Sequence, residues 1–243
     1  MTSTINGPGR LGNQIIRNLA VSILAEKHNL KVDYKNKQLI NELGIELFSG
    51  SNSYNSTQKL TDNNYSETYD SDKLNYNLDP THNYFQTRVI TNIIYNYLHK
   101  DSVKSNIIKN NKFKERYSNN NDLFIHIRLG DAAKWNPGIK YYINAIKNIS
   151  FENLYISTDD KNNNMIIELL QLYPSSKLIE FDEITTFQFA STCKHIILSH
   201  GSFSATIGYL SYFSNVYYPE YEWKKKWYGD MFSIDKWVRL SVV

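Results

Sequence analysis

The stretch "LFIHIRLGD", Leu123–Asp131, decides the fold. A run of mostly apolar residues ends abruptly at Arg128, Gly130 and Asp131, as a buried strand does when it empties into a polar turn. The same arrangement returns four more times. "NLYIST" (Asn153–Thr158) runs into Asp159 and Asp160, and "KLIEF" (Lys177–Phe181) runs into Asp182 and Glu183. "HIILS" (His195–Ser199) runs into "HGSFS", and "NVYYP" (Asn215–Pro219) closes the series. Helical apolar spacing fills the intervals at Lys140–Ile149, Met165–Tyr173, Thr185–Cys193 and Phe203–Phe213. Strands alternating with helices over short connections predict an α/β fold, with a doubly wound parallel sheet in the C-terminal half.

Upstream, "SNNND" (Ser118–Asp122) reads as a linker, which divides the chain into residues 1–118 and 119–243. The first part opens with a strand, Thr2–Asn6, and the loop "GPGRLGNQ", Gly7–Gln14. A helix is expected over Asn13–His28, where Ile15, Ile16, Leu19, Ala20, Ile23 and Leu24 share a face. A strand at Leu30–Tyr34 and an amphipathic stretch at Leu39–Phe48 follow. Ser49–Asp79 reads as a long polar loop of a functional or mobile kind. Helices are expected again at Tyr84–Leu98 and Val103–Tyr117.

The bulk properties narrow the function. The chain has 243 residues, 41% of them hydrophobic, and a net charge of +3. That is a globular composition with no basic footprint for nucleic acid; Lys224–Lys226, between Trp223 and Trp227, reads as a solvated surface run. Cys193 is the sole cysteine, so neither an intrachain disulfide nor a cysteine-based zinc site can form; it reads as a buried structural thiol. No apolar run approaches the roughly 20 residues that span a bilayer, and no signal-peptide pattern precedes the first loop. A soluble, cytoplasmic protein is expected, with no membrane span and no nucleic-acid partner.

Ligands of doubly wound sheets bind beyond the carboxyl ends of the strands, and here those ends carry the polar residues. A helix starting near Ser202 offers unpaired N–H groups, the hydroxyls of Ser202 and Ser204, and close approach at Gly201; an ordinary serine N-cap would look the same. Arg128 either pairs with Asp131 or clamps a phosphate. His126 is either a core histidine or a site residue. Arg128 and the Ser202 helix together suggest a diphosphate held without metal.

These segments resemble a known family. "FIHIRLGD" (Phe124–Asp131) resembles the H-x-R-R-G-D motif of the α1,2- and α1,6-fucosyltransferase superfamily. "STCKHIILSHGSFSATIGYLS" (Ser191–Ser211) resembles the S-x-C-x-H…S-S-F-S segment of bacterial-type α1,2-fucosyltransferases, and "YISTDD" (Tyr155–Asp160) their S-D-D strand end. "GRLGNQ" (Gly9–Gln14) resembles their G-x-G-N-Q opening, which protein O-fucosyltransferases share. The resemblance implies a GT-B-like arrangement: an acceptor-side domain (1–118) and a GDP-sugar-binding domain (119–243), both Rossmann-like, facing a cleft. It implies an inverting, metal-independent glycosyltransferase that moves L-fucose from GDP-L-fucose to a glycan hydroxyl, with no cofactor. Arg128 would contact the diphosphate; Ser202, Phe203, Ser204, His126, Asp159 and Asp160 would line the donor site. Asn13 and Arg10 would face the sugar and acceptor, and Asp131 is a candidate base or a structural residue. Leu129 stands in place of the second motif arginine, and Ala205 and Thr206 in place of two tryptophans. Thr186 stands where the family carries the acid that recognises guanine, and Asp182 or Glu183 is the candidate replacement.

Three other readings remain open. Gly7, Gly9 and Gly12 fit G-x-G-x-x-G, with Asp33 placed as a ribose-binding acid, which suits an NAD(P)-dependent oxidoreductase. "MTSTIN" is, however, polar for a central strand of such a sheet. "DSD", Asp70–Asp72, fits the D-x-D of a metal-dependent transferase. A non-catalytic nucleotide-sugar-binding module is the third.

Overall fold

The computed structural model describes residues 1–220 and 229–242. Two units divide them: residues 1–110 with 229–231, and residues 111–220 with 232–242. The lysine run 224–226 and its flanking tryptophans lie outside the described residues.

In the second unit, β5 (Leu123–Ile127), β6 (Leu154–Thr158), β7 (Lys177–Ile179), β8 (His195–Ile197), β9 (Asn215–Pro219) and β10 (Val238–Leu240) form one sheet, ordered β10-β9-β8-β5-β6-β7. Every pairing is parallel. Numbered within the unit and read from the β7 edge, the order is 3-2-1-4-5-6, that of the doubly wound nucleotide-binding sheets. β10 extends the series beyond the last strand expected from sequence. Val238 is 45% exposed, so this three-residue edge strand carries little apolar signal.

Helices α6 (Ile139–Lys147) and α7 (Asn164–Leu172) pack together, as do α8 (Glu183–Ala190) and α9 (Gly201–Tyr209). All five residues of β5 are buried, as a central strand covered on both faces requires. Leu123, Ile125 and Ile127 join Tyr141, Tyr142, Ile146, Ile156 and Ile166 in one apolar cluster. Helix α9 begins before the expected position. Its N-cap is His200, with no side-chain cap bond, so Ser202 lies inside the first turn instead of capping it.

The first unit is organised around α1 (Leu11–His28), which is buried through most of its length. The helix starts two residues before the expected Asn13. It joins β1 (Thr2–Ser3) to β2 (Val32–Asp33), which pair in parallel. Two of the polar groups α1 buries bind neighbouring backbone: Asn18 Nδ2 donates to Lys35 O (2.6 Å), and Ser22 Oγ accepts from Phe48 N (2.8 Å). The amphipathic stretch at Leu39–Phe48 is helical only within α2 (Lys37–Asn41). Gly44, at φ 76°, then turns the chain against the 106–107 backbone, where a Cβ would lie 2.7 Å from Asn106 O.

The polar stretch Ser49–Asp79 is not a continuous loop. It holds β3 (Thr57–Lys59), α3 (Tyr65–Asp70) and β4 (Asn77–Asp79), and β3 pairs in parallel with β4. Tyr65 Oη donates to Ala20 O (2.8 Å), which anchors α3 on α1. The two later helices are α4 (Arg88–Leu98) and α5 (Asp101–Asn110).

Candidate functional site at the sheet's switch point

The 3-2-1-4-5-6 order reverses between β5 and β8, and a crevice opens beyond the carboxyl ends of strands at such a reversal. Arg128 follows β5 and the 199–204 turn follows β8, on hydrogen-bonded neighbours in the sheet. Arg128 N donates to Ser199 Oγ (3.2 Å), so the two ends are tied directly. Asn136 Nδ2 donates to Arg128 O (2.9 Å) and to Tyr142 Oη (3.0 Å). Tyr142 Oη in turn donates to Ser199 Oγ (2.9 Å). The arginine backbone is therefore held from both sides, by the buried Ser199 and the half-buried Asn136.

The guanidinium has two carboxylate partners: Nη1 pairs with Asp159 and Nη2 with Asp131. Asp159 is also tied to the turn, because its Oδ1 accepts from Leu129 N (2.7 Å). Gly130 makes this approach possible; a Cβ there would lie 2.5 Å from Asp159 Oδ2. The R-L-G-D spacing thus has a local reason in this chain. Leu129 is 2% exposed and belongs to the apolar cluster, so its position is a core position.

Beneath the arginine lies a buried polar chain. Ser199 N donates to Ser204 Oγ (2.9 Å), and that oxygen lies 2.7 Å from His126 Nδ1. Burial pushes the His126 pKa down to about 3, helped by the nearby His200 and Arg128. His200, with Nδ1 3.3 Å from Ser199 Oγ, is pushed down to about 4, again chiefly by burial. The Ala132 backbone and the two carboxylates favour its charged form, and Arg128 opposes it. Both rings are neutral at pH 7. Ser204 is fully buried and its hydroxyl serves this chain.

Ser202 and Phe203 sit in the first turn of α9. The first N–H groups of a helix lack intrahelical acceptors and carry the positive end of its dipole. Phe203 stacks on Phe187 (4.2 Å between centroids) and lies 5.0 Å from the His126 ring. Asp160, beyond β6, takes part in a turn, with Oδ2 accepting from Asn163 Nδ2 (3.3 Å). Asp182 caps α8: its carboxylate accepts from Thr185 N (2.7 Å) and Thr185 Oγ1 (2.8 Å). These bonds hold its pKa below the usual range. Glu183 opens the same helix, and Thr186 is buried.

In the first unit, Arg10 is the exposed N-cap of α1, and Asn13 Oδ1 accepts from Gln86 Nε2 (2.7 Å). The glycines serve neighbouring side chains. A Cβ on Gly7 would overlap Arg17 Nη1 at 1.0 Å, and one on Gly9 (φ 92°) would meet Asn13 Nδ2 at 2.1 Å. Gln14 and Arg17 are the side chains that brace this loop. Gln14 Nε2 donates to the carbonyls of Gly7, Pro8 and Gly9. The fully buried Arg17 donates to Asn83 O (2.8 Å), Pro80 O (3.1 Å) and Gln14 Oε1 (3.4 Å). Asp33 is exposed on β2.

Cys193 is buried, and burial pushes its thiol up to about 12. Asp70 ends α3 and Asp72 lies beyond it. Among the described residues, no group of three or more His, Cys, Asp or Glu side chains is placed to hold a metal ion, and no helix is long and apolar enough to cross a membrane.

The class of protein that fold and site define is an α/β protein with a parallel sheet of nucleotide-binding strand order and an arginine held between two carboxylates at its switch point. No protein-family model matches the chain, and no curated protein matches its sequence.

Proposed function

We propose that this switch point binds the diphosphate of a GDP-sugar, and that the protein is an inverting, metal-independent glycosyltransferase with GDP-L-fucose as its donor. The observation that carries the reading is the placement of Arg128 and the uncapped N-terminus of α9 at the ends of adjacent central strands. Negative charge grows on the departing GDP as the glycosidic bond breaks. A preorganised guanidinium and a row of backbone N–H groups stabilise charge where it develops. The neutral His126 and His200 support the turn without competing for the phosphates. An acceptor hydroxyl attacks the anomeric carbon from the face opposite the departing GDP. In this reading the first unit is the acceptor-side domain of a GT-B arrangement, and Asn13 and Arg10 act on the sugar and its glycan acceptor in a soluble, cytoplasmic enzyme.

A thermal-shift screen tests this, because a ligand that binds only the native state raises the midpoint, and raises it further the tighter it binds at a given concentration. GDP and GDP-fucose should raise it, in the presence or absence of a chelator, and NAD should not. A shift with NAD alone would favour the oxidoreductase reading, and a preference for UDP would reassign the donor. Tight GDP binding with neither transfer nor donor hydrolysis would leave a binding module.

A further inference from the structure

The two carboxylates on Arg128 are built differently. Asp159 is fixed: it stands directly beyond β6, its side chain is 23% exposed, and it accepts from Leu129 N while packed against Gly130. Asp131 belongs to the same turn as the arginine, three residues on, and its side chain is 65% exposed. An arginine bound on one edge by a rigid carboxylate is oriented by it. A solvated carboxylate on the other edge is held weakly and is readily exchanged.

We propose that Asp131 is an internal counter-ion that occupies the place of the ligand's anionic group on Arg128, while Asp159 is a positioning residue that keeps the guanidinium aimed. A phosphoryl oxygen entering the crevice takes over Nη2, and the Asp131 carboxylate swings into water. Asp159 stays in place throughout. This rests on the switch point being an anion site, as proposed above, and adds that the chain's own Asp131 side chain partly closes that site. The device lowers affinity for any single weak anion, and a diphosphate overcomes it by also engaging the start of α9.

The two aspartates should respond in opposite directions to loss of charge. The probe is inorganic pyrophosphate, titrated by calorimetry into the full chain at low ionic strength. Asp131→Asn should tighten binding about three- to tenfold, and the gain should shrink as salt is added. Asp159→Asn should weaken it about tenfold or more, although asparagine can still accept from Leu129 N. If both carboxylates merely repelled anions, both variants would bind tighter; if both merely braced the arginine, both would bind weaker. Either result overturns the inference. Arg128→Gln separates the levels: pyrophosphate binding that it abolishes, with no tightening in Asp131→Asn, refutes the counter-ion role alone. No binding to wild type or Asp131→Asn refutes the anion site and this inference with it. Binding seen only in Asp131→Asn supports both.

Discussion

Protonation of the buried histidines should weaken this protein between pH 7 and pH 5 by an amount that can be worked out. His126 and His200 are depressed to about 3 and about 4 in the folded chain, against an ordinary value near 6.5 once unfolded. For a depressed pKa, the stabilising contribution is complete above the unfolded value and is lost as pH falls toward the folded one. Between pH 7 and pH 5 the unfolded imidazole takes up about three quarters of a proton and the folded one almost none. Linkage then gives a loss of about 2 kcal/mol per histidine, or about 4 kcal/mol for the pair. The figure depends little on how far below 5 the folded values lie. The loss is a large share of a typical domain's 5–15 kcal/mol, roughly. The perturbation is His126→Asn, which keeps a polar group facing Ser204 and cannot titrate. Urea unfolding at pH 7 and pH 5, followed by circular dichroism, reads the difference. The variant should be weaker at pH 7 but lose about 2 kcal/mol less than wild type on acidification. Equal losses in wild type and variant would refute the picture of a neutral, buried His126.

Other perturbations follow from the same contacts. Gly7→Ala puts a methyl group onto the buried Arg17 guanidinium and should cost about 3 kcal/mol in a denaturant melt. Asp182→Ala removes the α8 cap and should cost about 1 kcal/mol. The wild-type cap is stabilising above the ordinary carboxylate pKa and is lost as pH falls through the lowered folded value, so the penalty should vanish in acid. Cys193 should resist thiol reagents in the native protein and react at full stoichiometry in denaturant, as burial and the raised pKa require. Arg128→Ala should abolish sugar transfer while leaving the circular dichroism spectrum unchanged.

The parallel sheet was legible because its strands are apolar runs ending in polar turns, and Leu123–Ile127 shows why: a strand covered on both faces needs no alternation. β3 and β4 carried no such signal. Thr57, Gln58 and Lys59 are all exposed, and their pairing depends on residues some twenty positions away. The position of Arg128 at a strand end was readable; its partner Asp159 was not, because that contact spans 31 residues and is set by strand order. His126 stood out as polar within an apolar strand, yet the Ser204 hydroxyl that explains it comes from 78 residues downstream. Gly7 and Gly9 matched a dinucleotide pattern, although the side chains that require them, Arg17 and Asn13, lie on the next turns of the chain. Arg17 sits on the buried side of α1, one turn after Gln14, and a charge among apolar helical positions was the available clue. Asp182 was one of two candidates, with Glu183, for the guanine contact; its D-x-x-T spacing before a helix also described the cap that the structure shows.

A crystal structure of the protein soaked with GDP tests the central claim most directly. The account predicts both phosphates within hydrogen-bonding distance of the Arg128 guanidinium and the backbone N–H groups of Ser202 and Phe203, with Asp131 turned away and Asp159 unmoved. A nucleotide bound in the first unit at the Gly7–Gly12 loop, with Arg128 still paired to both aspartates, would contradict it.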